Sequence, residues 1–128
     1  MDLHHLPVID WETGTKLAGN KRELAEDLLA LFVRDLQAEI VAINQSNRDK
    51  NYKVLQKQIH KLHGAICYCG LPRLKRVIEQ LETNLKNNIM DHLPSHLDQL
   101  EKEIKQLLET YPPHSSHPRV NKDESLKK

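Results

Sequence analysis

Residues 20–63 contain neither glycine nor proline, and apolar side chains recur through that stretch at three- and four-residue steps. Leu24, Leu28, Leu31, Phe32, Leu36, Ile40 and Ile43 fall on one stripe of about six helical turns. β-branched residues are sparse and strand-type alternation is absent, which restricts the chain to helical architectures. Asn20-Lys21-Arg22-Glu23 reads as the start of this long helix, with Asn20 as the cap and Glu23 three residues on. The polar run from Asn44 to Asn51 breaks the pattern.

The punctuation that follows divides the rest of the chain in the same way. A second long helix shows Leu55, Ile59, Leu62, Ile66 and Cys69 on one side, with Gly70 at its end and Pro72 in the first turn of the next. That third helix presents Leu74, Val77, Ile78, Leu81, Leu85 and Ile89, and closes at Asn87-Asn88. Pro94 opens a fourth, with Leu97, Leu100, Ile104, Leu107, Leu108 and Tyr111, and Pro112-Pro113 stops it. A short helix over Val8–Leu17, ended by Gly19, lays Val8, Ile9 and Trp11 over one end. The expectation is an all-α fold, an antiparallel four-helix bundle with a short extra N-terminal helix. The bundle domain covers residues 1–111. Residues 112–128 hold half of the six prolines and almost no large apolar residue, so they read as a disordered, flexible polar tail.

Composition removes several function classes. At 128 residues the chain is one domain with one core. A formal net charge of +1 argues against binding nucleic acid or a membrane surface through bulk charge. The four glycines, Gly14, Gly19, Gly64 and Gly70, nowhere cluster as a phosphate-cradling loop requires. No apolar run is long enough to span a bilayer, and the N-terminus lacks the basic and apolar regions of a secretion signal. Cys67 and Cys69 stand two apart and face nearly opposite ways on a helix, which excludes a disulfide between them. Reduced thiols without a signal fit a cytoplasmic setting.

One residue breaks a rule. Gly64 stands in the middle of the second long helix, where glycine costs roughly 1 kcal/mol relative to alanine. On a wheel at ~100° per residue the apolar arc centres about 150° from His60. Lys53, Gln56, Lys57, His63, Gly64 and Cys67 lie within about 60° of His60. His60 therefore faces water, with Gly64 one turn further along the same surface. A missing side chain beside an exposed imidazole leaves room for another protein's backbone, and the neighbouring cations favour an anion there. Read without function, His60 is a solvated histidine among lysines and Cys67 a bystander.

The stretch His60-Lys61-Leu62-His63-Gly64-Ala65-Ile66-Cys67-Tyr68-Cys69-Gly70-Leu71, with Leu74 and Leu81-Glu82 beyond it, resembles the signature of histidine-containing phosphotransfer (HPt) domains. Ile9-Asp10-Trp11 and Leu17-Ala18-Gly19-Asn20 are similar to the same family, and the HKLHG form most resembles the C-terminal HPt module of BarA/GacS-type hybrid sensor kinases. The resemblance spans roughly residues 6–110. It implies a phosphocarrier: His60 takes a phosphoryl group on Nε2 from an aspartyl phosphate of one receiver domain and passes it to the aspartate of a response regulator. Gly64 matches the glycine that admits the receiver, with Gln56 and Cys67 on the same access surface. Mg²⁺ is expected on the receiver, so the chain needs no cofactor of its own. It also implies a phosphotransfer intermediate without autokinase activity, cytoplasmic in place, while a closed bundle with polar outer faces favours a monomer.

One departure stands out. The family usually has lysine three residues after the phosphorylated histidine, and here that residue is His63. A neutral imidazole donates one hydrogen bond but carries no fixed charge, so His63, Lys57 and Lys61 are the candidates to support the phosphoryl group. Two other readings stay open on the residues alone. One is a non-catalytic helical adaptor that binds receivers; the other is a metal-binding bundle using His60, His63 and Cys67. A dimerising kinase phosphoacceptor module is rejected, because Lys61 and Ala65 stand where an acidic residue and a proline would be.

Overall fold

Asp10 starts the helical part of the chain. Its carboxylate accepts from the Thr13 N–H at 3.1 Å and from Thr13 Oγ1 at 2.8 Å, capping α1 (Trp11–Leu17). The backbone hydrogen bond from Thr13 holds the Asp10 carboxyl below the usual carboxylate range. The structure, a computed structural model, describes residues 3–112. The expected tail thus lies, from residue 113 onward, outside the described residues. Val8 and Ile9, expected inside the first helix, precede it and pack half-buried on the core beside Trp11.

Asn20 is not the cap of the long helix. Gly19 and Asn20 have φ of 67° and 66°, and Lys21 takes the extended N-cap position of α2 (Arg22–Arg48) without a side-chain hydrogen bond. A capping residue needs extended backbone, whereas asparagine tolerates the left-handed turn that redirects the chain here. The polar residues from Asn44 continue this helix to Arg48 rather than ending it. Gln45 donates to Asp49 at 3.0 Å and accepts from Arg48 at 2.8 Å, pairings that only helical spacing allows.

The seam that α2 buries is Ala25, Leu29, Val33, Leu36, Ile40 and Ile43. Leu28 and Phe32 pack at its edge, while Leu24 and Leu31 are exposed. Those two lie about 130–150° from the centre of the buried arc, so equal spacing merged two faces into one apparent stripe. After a turn through Lys50 (φ 55°), Asn51 caps α3 (Tyr52–Ile66) by accepting from Val54 N–H at 3.3 Å. Pro72 stands in the first turn of α4 (Pro72–Lys86), which closes at Asn87 with Asn88 left-handed at φ 57°. Ile89 follows that turn and is exposed, outside the α4 stripe. Pro94 stands in the first turn of α5 (Leu93–Thr110).

Each helix packs on the next in sequence, and α2 meets α5 to close the bundle. The short connections force neighbours to run antiparallel. Leu36, Ile43, Leu55, Ile59, Ile66, Ile78, Leu81, Leu100 and Leu107 are essentially inaccessible, each contributing about 1.5–3 kcal/mol by burial. One ion pair fastens α4 to α5: Arg73 Nη2 lies 2.9 Å from Glu103 Oε2, with both residues largely withdrawn from solvent.

Gly70 does not end α3, which stops at Ile66. It is the crossing point of two backbones: the Asp10 N–H donates to Gly70 O at 2.8 Å, and a Cβ on Gly70 would stand 2.2 Å from Asp10 O and 2.6 Å from Gly14 N. α1 is thereby stitched to the turn that follows the His60 helix.

Candidate functional site

α3 is amphipathic, and burying Leu55, Ile59, Leu62 and Ile66 turns His60 outward two turns before the helix ends. Its side chain is 72% exposed. One turn on, Gly64 faces open space: a Cβ there would meet nothing within 4 Å. Lys57, Gly64 and Cys67 are exposed and Gln56 is half-buried on the same side. The surface read from the helical wheel is therefore present as one face.

The imidazole is free at one nitrogen only. His60 Nδ1 is hydrogen-bonded to Glu82 Oε2 across the α3–α4 interface, and His63 Nδ1 lies 2.6 Å from Glu82 Oε1. A single carboxylate, only 8% exposed, thus holds two rings. Burial pushes the Glu82 carboxyl up, but the hydrogen bonds with His60 and then His63 outweigh it and keep the group below its ordinary range. An ionised carboxylate can only accept, so the proton of each contact is assigned to Nδ1. His60 Nε2 then carries the lone pair and points to solvent.

Glu82 is a site residue that the sequence marks only indirectly. It follows Ile78 by four residues and precedes Leu85 by three, so a charged residue occupies the buried seam of α4. Glu79, one turn earlier, lies 3.7 Å from His63 Nε2. His63 is consequently 28% exposed, with both ring nitrogens facing α4 carboxylates. Lys61 points the other way, 3.7 Å from Glu39 of α2. That pair flanks an open groove of roughly 350 Å³ lined by Leu31, Phe32, Asp35, Leu62 and Ala65.

His60, His63 and Cys67 do not converge. Both Nδ1 atoms are taken by Glu82, and no three histidine, cysteine or acidic side chains among the described residues form a metal-binding group. Cys67 is exposed and Cys69 buried, both free thiols, in the turn that follows α3 rather than on the helix itself. Among the described residues no helix is long and apolar enough to cross a membrane.

Comparison with known proteins agrees with this geometry. The sensor protein GacS of Pseudomonas syringae pv. syringae is 38% identical over 105 residues, covering 81% of this chain and 12% of that protein. The signal transduction histidine-protein kinase BarA of Escherichia coli K12 is 29% identical over 101 residues, 79% of this chain and 10% of that one. The chain thus spans about a tenth of the length of these curated relatives. Among solved structures, the crystal structure of the HPT domain from a Shewanella sensor hybrid histidine kinase superposes with a TM-score of 0.64 at 28% identity, over 87% of this chain and 99% of that one. Residues 27–110 match the family model of the Hpt domain, and the chain belongs to that family of phosphorelay modules.

Proposed function

We propose that His60 is the phosphorylated residue, accepting a phosphoryl group on Nε2 from a receiver-domain aspartyl phosphate and passing it to the aspartate of a response regulator. The observation that carries this reading is the contact between His60 Nδ1 and the buried Glu82 carboxylate. It fixes the tautomer, orients the ring and leaves the nucleophilic lone pair at the exposed edge.

The step balances without a general base. The Nε2 lone pair forms the N–P bond as the aspartyl O–P bond breaks, and the aspartate leaves with the bonding pair as a carboxylate. The ring becomes an N-phosphoimidazolium that keeps its Nδ1 proton. Its new positive charge lies against Glu82, much as a buried carboxylate steadies the imidazolium of a hydrolase triad. Phosphoryl transfer asks chiefly for positioning and charge neutralisation; Mg²⁺ and most of the positive charge belong to the receiver. Gly64 leaves the space into which the receiver's loops approach, with Gln56, Lys57 and Cys67 at the rim. In this role the domain is a covalent intermediate, with no nucleotide chemistry of its own. Its place in a cytoplasmic relay between two receivers rests on its likeness to the hybrid kinases.

The test is incubation with a phosphorylated receiver, beside the His60→Gln variant. Acid-labile label on the wild type and none on the variant is the expected result. Label on neither, across several receivers and with folded protein, would leave an adaptor that binds receivers without chemistry.

A further inference from the structure

We propose that His63 is a positioning residue that couples proton uptake to phosphoryl occupancy of His60, acting through the shared Glu82 carboxylate. The inference rests on the assignment of His60 as the phosphorylated residue. Its basis is the double contact: Glu82 Oε1 holds His63 Nδ1 at 2.6 Å while Oε2 holds His60 Nδ1, and His63 Nε2 lies 3.7 Å from Glu79. One carboxylate thus senses the charge of both rings.

The titratable groups nearest His63 are Glu79, Glu82 and His60, with exposed Cys67 one turn further along, just past the end of α3. Among the described helices, α3 packs on α2 and α4 alone. From α4 the groups facing His63 are Glu79 and Glu82; on its own helix, His60 shares Glu82. The charged pair contributed by α2, Glu39 with Lys61, sits on the opposite flank, since Lys61 is about 200° from His63 around α3. With both rings neutral, Glu79 and Glu82 leave the cluster negative. Phosphorylation adds a phosphoryl dianion and one ring positive charge to His60, so the cluster becomes more negative by about one charge. A proton on His63 cancels that addition, and its Nε2–H then points at Glu79. Phosphoryl and proton therefore bind with positive coupling, and the coupling is reciprocal. Occupancy of His60 raises the pH at which His63 titrates, and acid favours phosphoryl residence on this chain.

The sign separates this role from a fixed cation. A lysine at position 63 would supply the charge at any working pH, whereas a histidine supplies it only below its own titration. Alkaline conditions thus shift the phosphoryl group toward the receiver.

Two measurements test the coupling. The first is the ring titration of His63 by NMR, in the free protein and in protein kept phosphorylated at His60 with phosphoramidate. The expected result is a midpoint higher by about half a unit to one unit in the phosphorylated form, the size expected of one added charge at this range. An unchanged midpoint overturns the proposal and needs no variant to fold. The second is the transfer equilibrium with a phosphorylated receiver between pH 6 and 8.5. Relative to His63→Gln, the wild type should favour phosphorylated domain about 3- to 10-fold more at the acid end than at the alkaline end. His63→Lys should keep the acid-end value throughout. Superimposable profiles for wild type and His63→Gln overturn the coupling alone. Failure of every form to take phosphoryl overturns the assignment of His60 instead.

Discussion

Replacing Gly64 by alanine should move stability and phosphotransfer in opposite directions. The backbone at Gly64 is ordinary α-helix, and an added Cβ would meet nothing within 4 Å. No overpacking term opposes the substitution, so the helix propensity difference applies nearly in full: about 0.8–1.0 kcal/mol gained. For a domain of this size that is a rise in Tm of roughly 4 °C. On the proposed role of His60, the space the methyl group occupies is the space through which a receiver would bring its aspartyl phosphate. Transfer should slow modestly with alanine and steeply with Gly64→Gln, which keeps helix propensity while filling the face. Urea denaturation gives the first quantity and stopped transfer reactions with a phosphorylated receiver the second. A destabilised Gly64→Ala would refute the claim that the position is open. A stabilised Gly64→Gln with unchanged transfer would refute the claim that the opening serves docking.

Four further outcomes are expected. On the proposed role of His60, Glu82→Gln removes the charge that would steady the phosphoimidazolium and should slow transfer about 10- to 100-fold, the size found when the partner behind a metal-bound histidine is removed. Because hydrogen bonds hold the Glu82 carboxyl below its unfolded value, it stabilises the fold above the ordinary carboxylate range, and that contribution is lost as pH falls through the lowered value; Glu82→Gln should flatten this acid limb in thermal melts against pH. Gly70→Ala places a methyl group 2.2 Å from Asp10 O, and should cost about 3 kcal/mol or more by overpacking two backbones; Gly14→Ala, whose nearest contact is 3.3 Å, should cost far less in the same denaturation assay. Iodoacetamide at neutral pH should label exposed Cys67 and spare Cys69, whose thiol burial pushes up to about 11, as peptide mass mapping would show.

The helical architecture was legible because apolar spacing alone decides which side of a helix is buried. The seams of α3, α4 and α5 follow that rule almost residue by residue, and it turned His60 and Gly64 outward correctly. It failed on α2, where Leu24 and Leu31 share the spacing of the buried seam but lie on another face. Chain direction was also hidden. Asn20 has the side chain of a cap but sits in a left-handed turn, and Gly70 has the look of a helix terminator but serves a backbone crossing with Asp10 and Gly14. Neither can be known before the tertiary path is. The same limit explains Glu82: its pairing with His60 joins residues on two helices, and periodicity within one helix cannot see across the interface. A carboxylate standing on the buried stripe of α4 was the visible trace of it.

The packing of each helix on its successor also bears on how the molecule acquires its shape. Loop closure between sequence neighbours costs little entropy, and folds rich in such contacts reach the native state in microseconds to milliseconds. Among the described residues, the contact of α2 with α5 alone joins helices that are not consecutive. The α3–α4 hairpin, which brings His60 to Glu82, needs no such distant partner. The pairing of His60 with Glu82 thus lies within a local hairpin that carries little loop-closure cost, and the longer-range closure of α2 on α5 lies across the bundle from it.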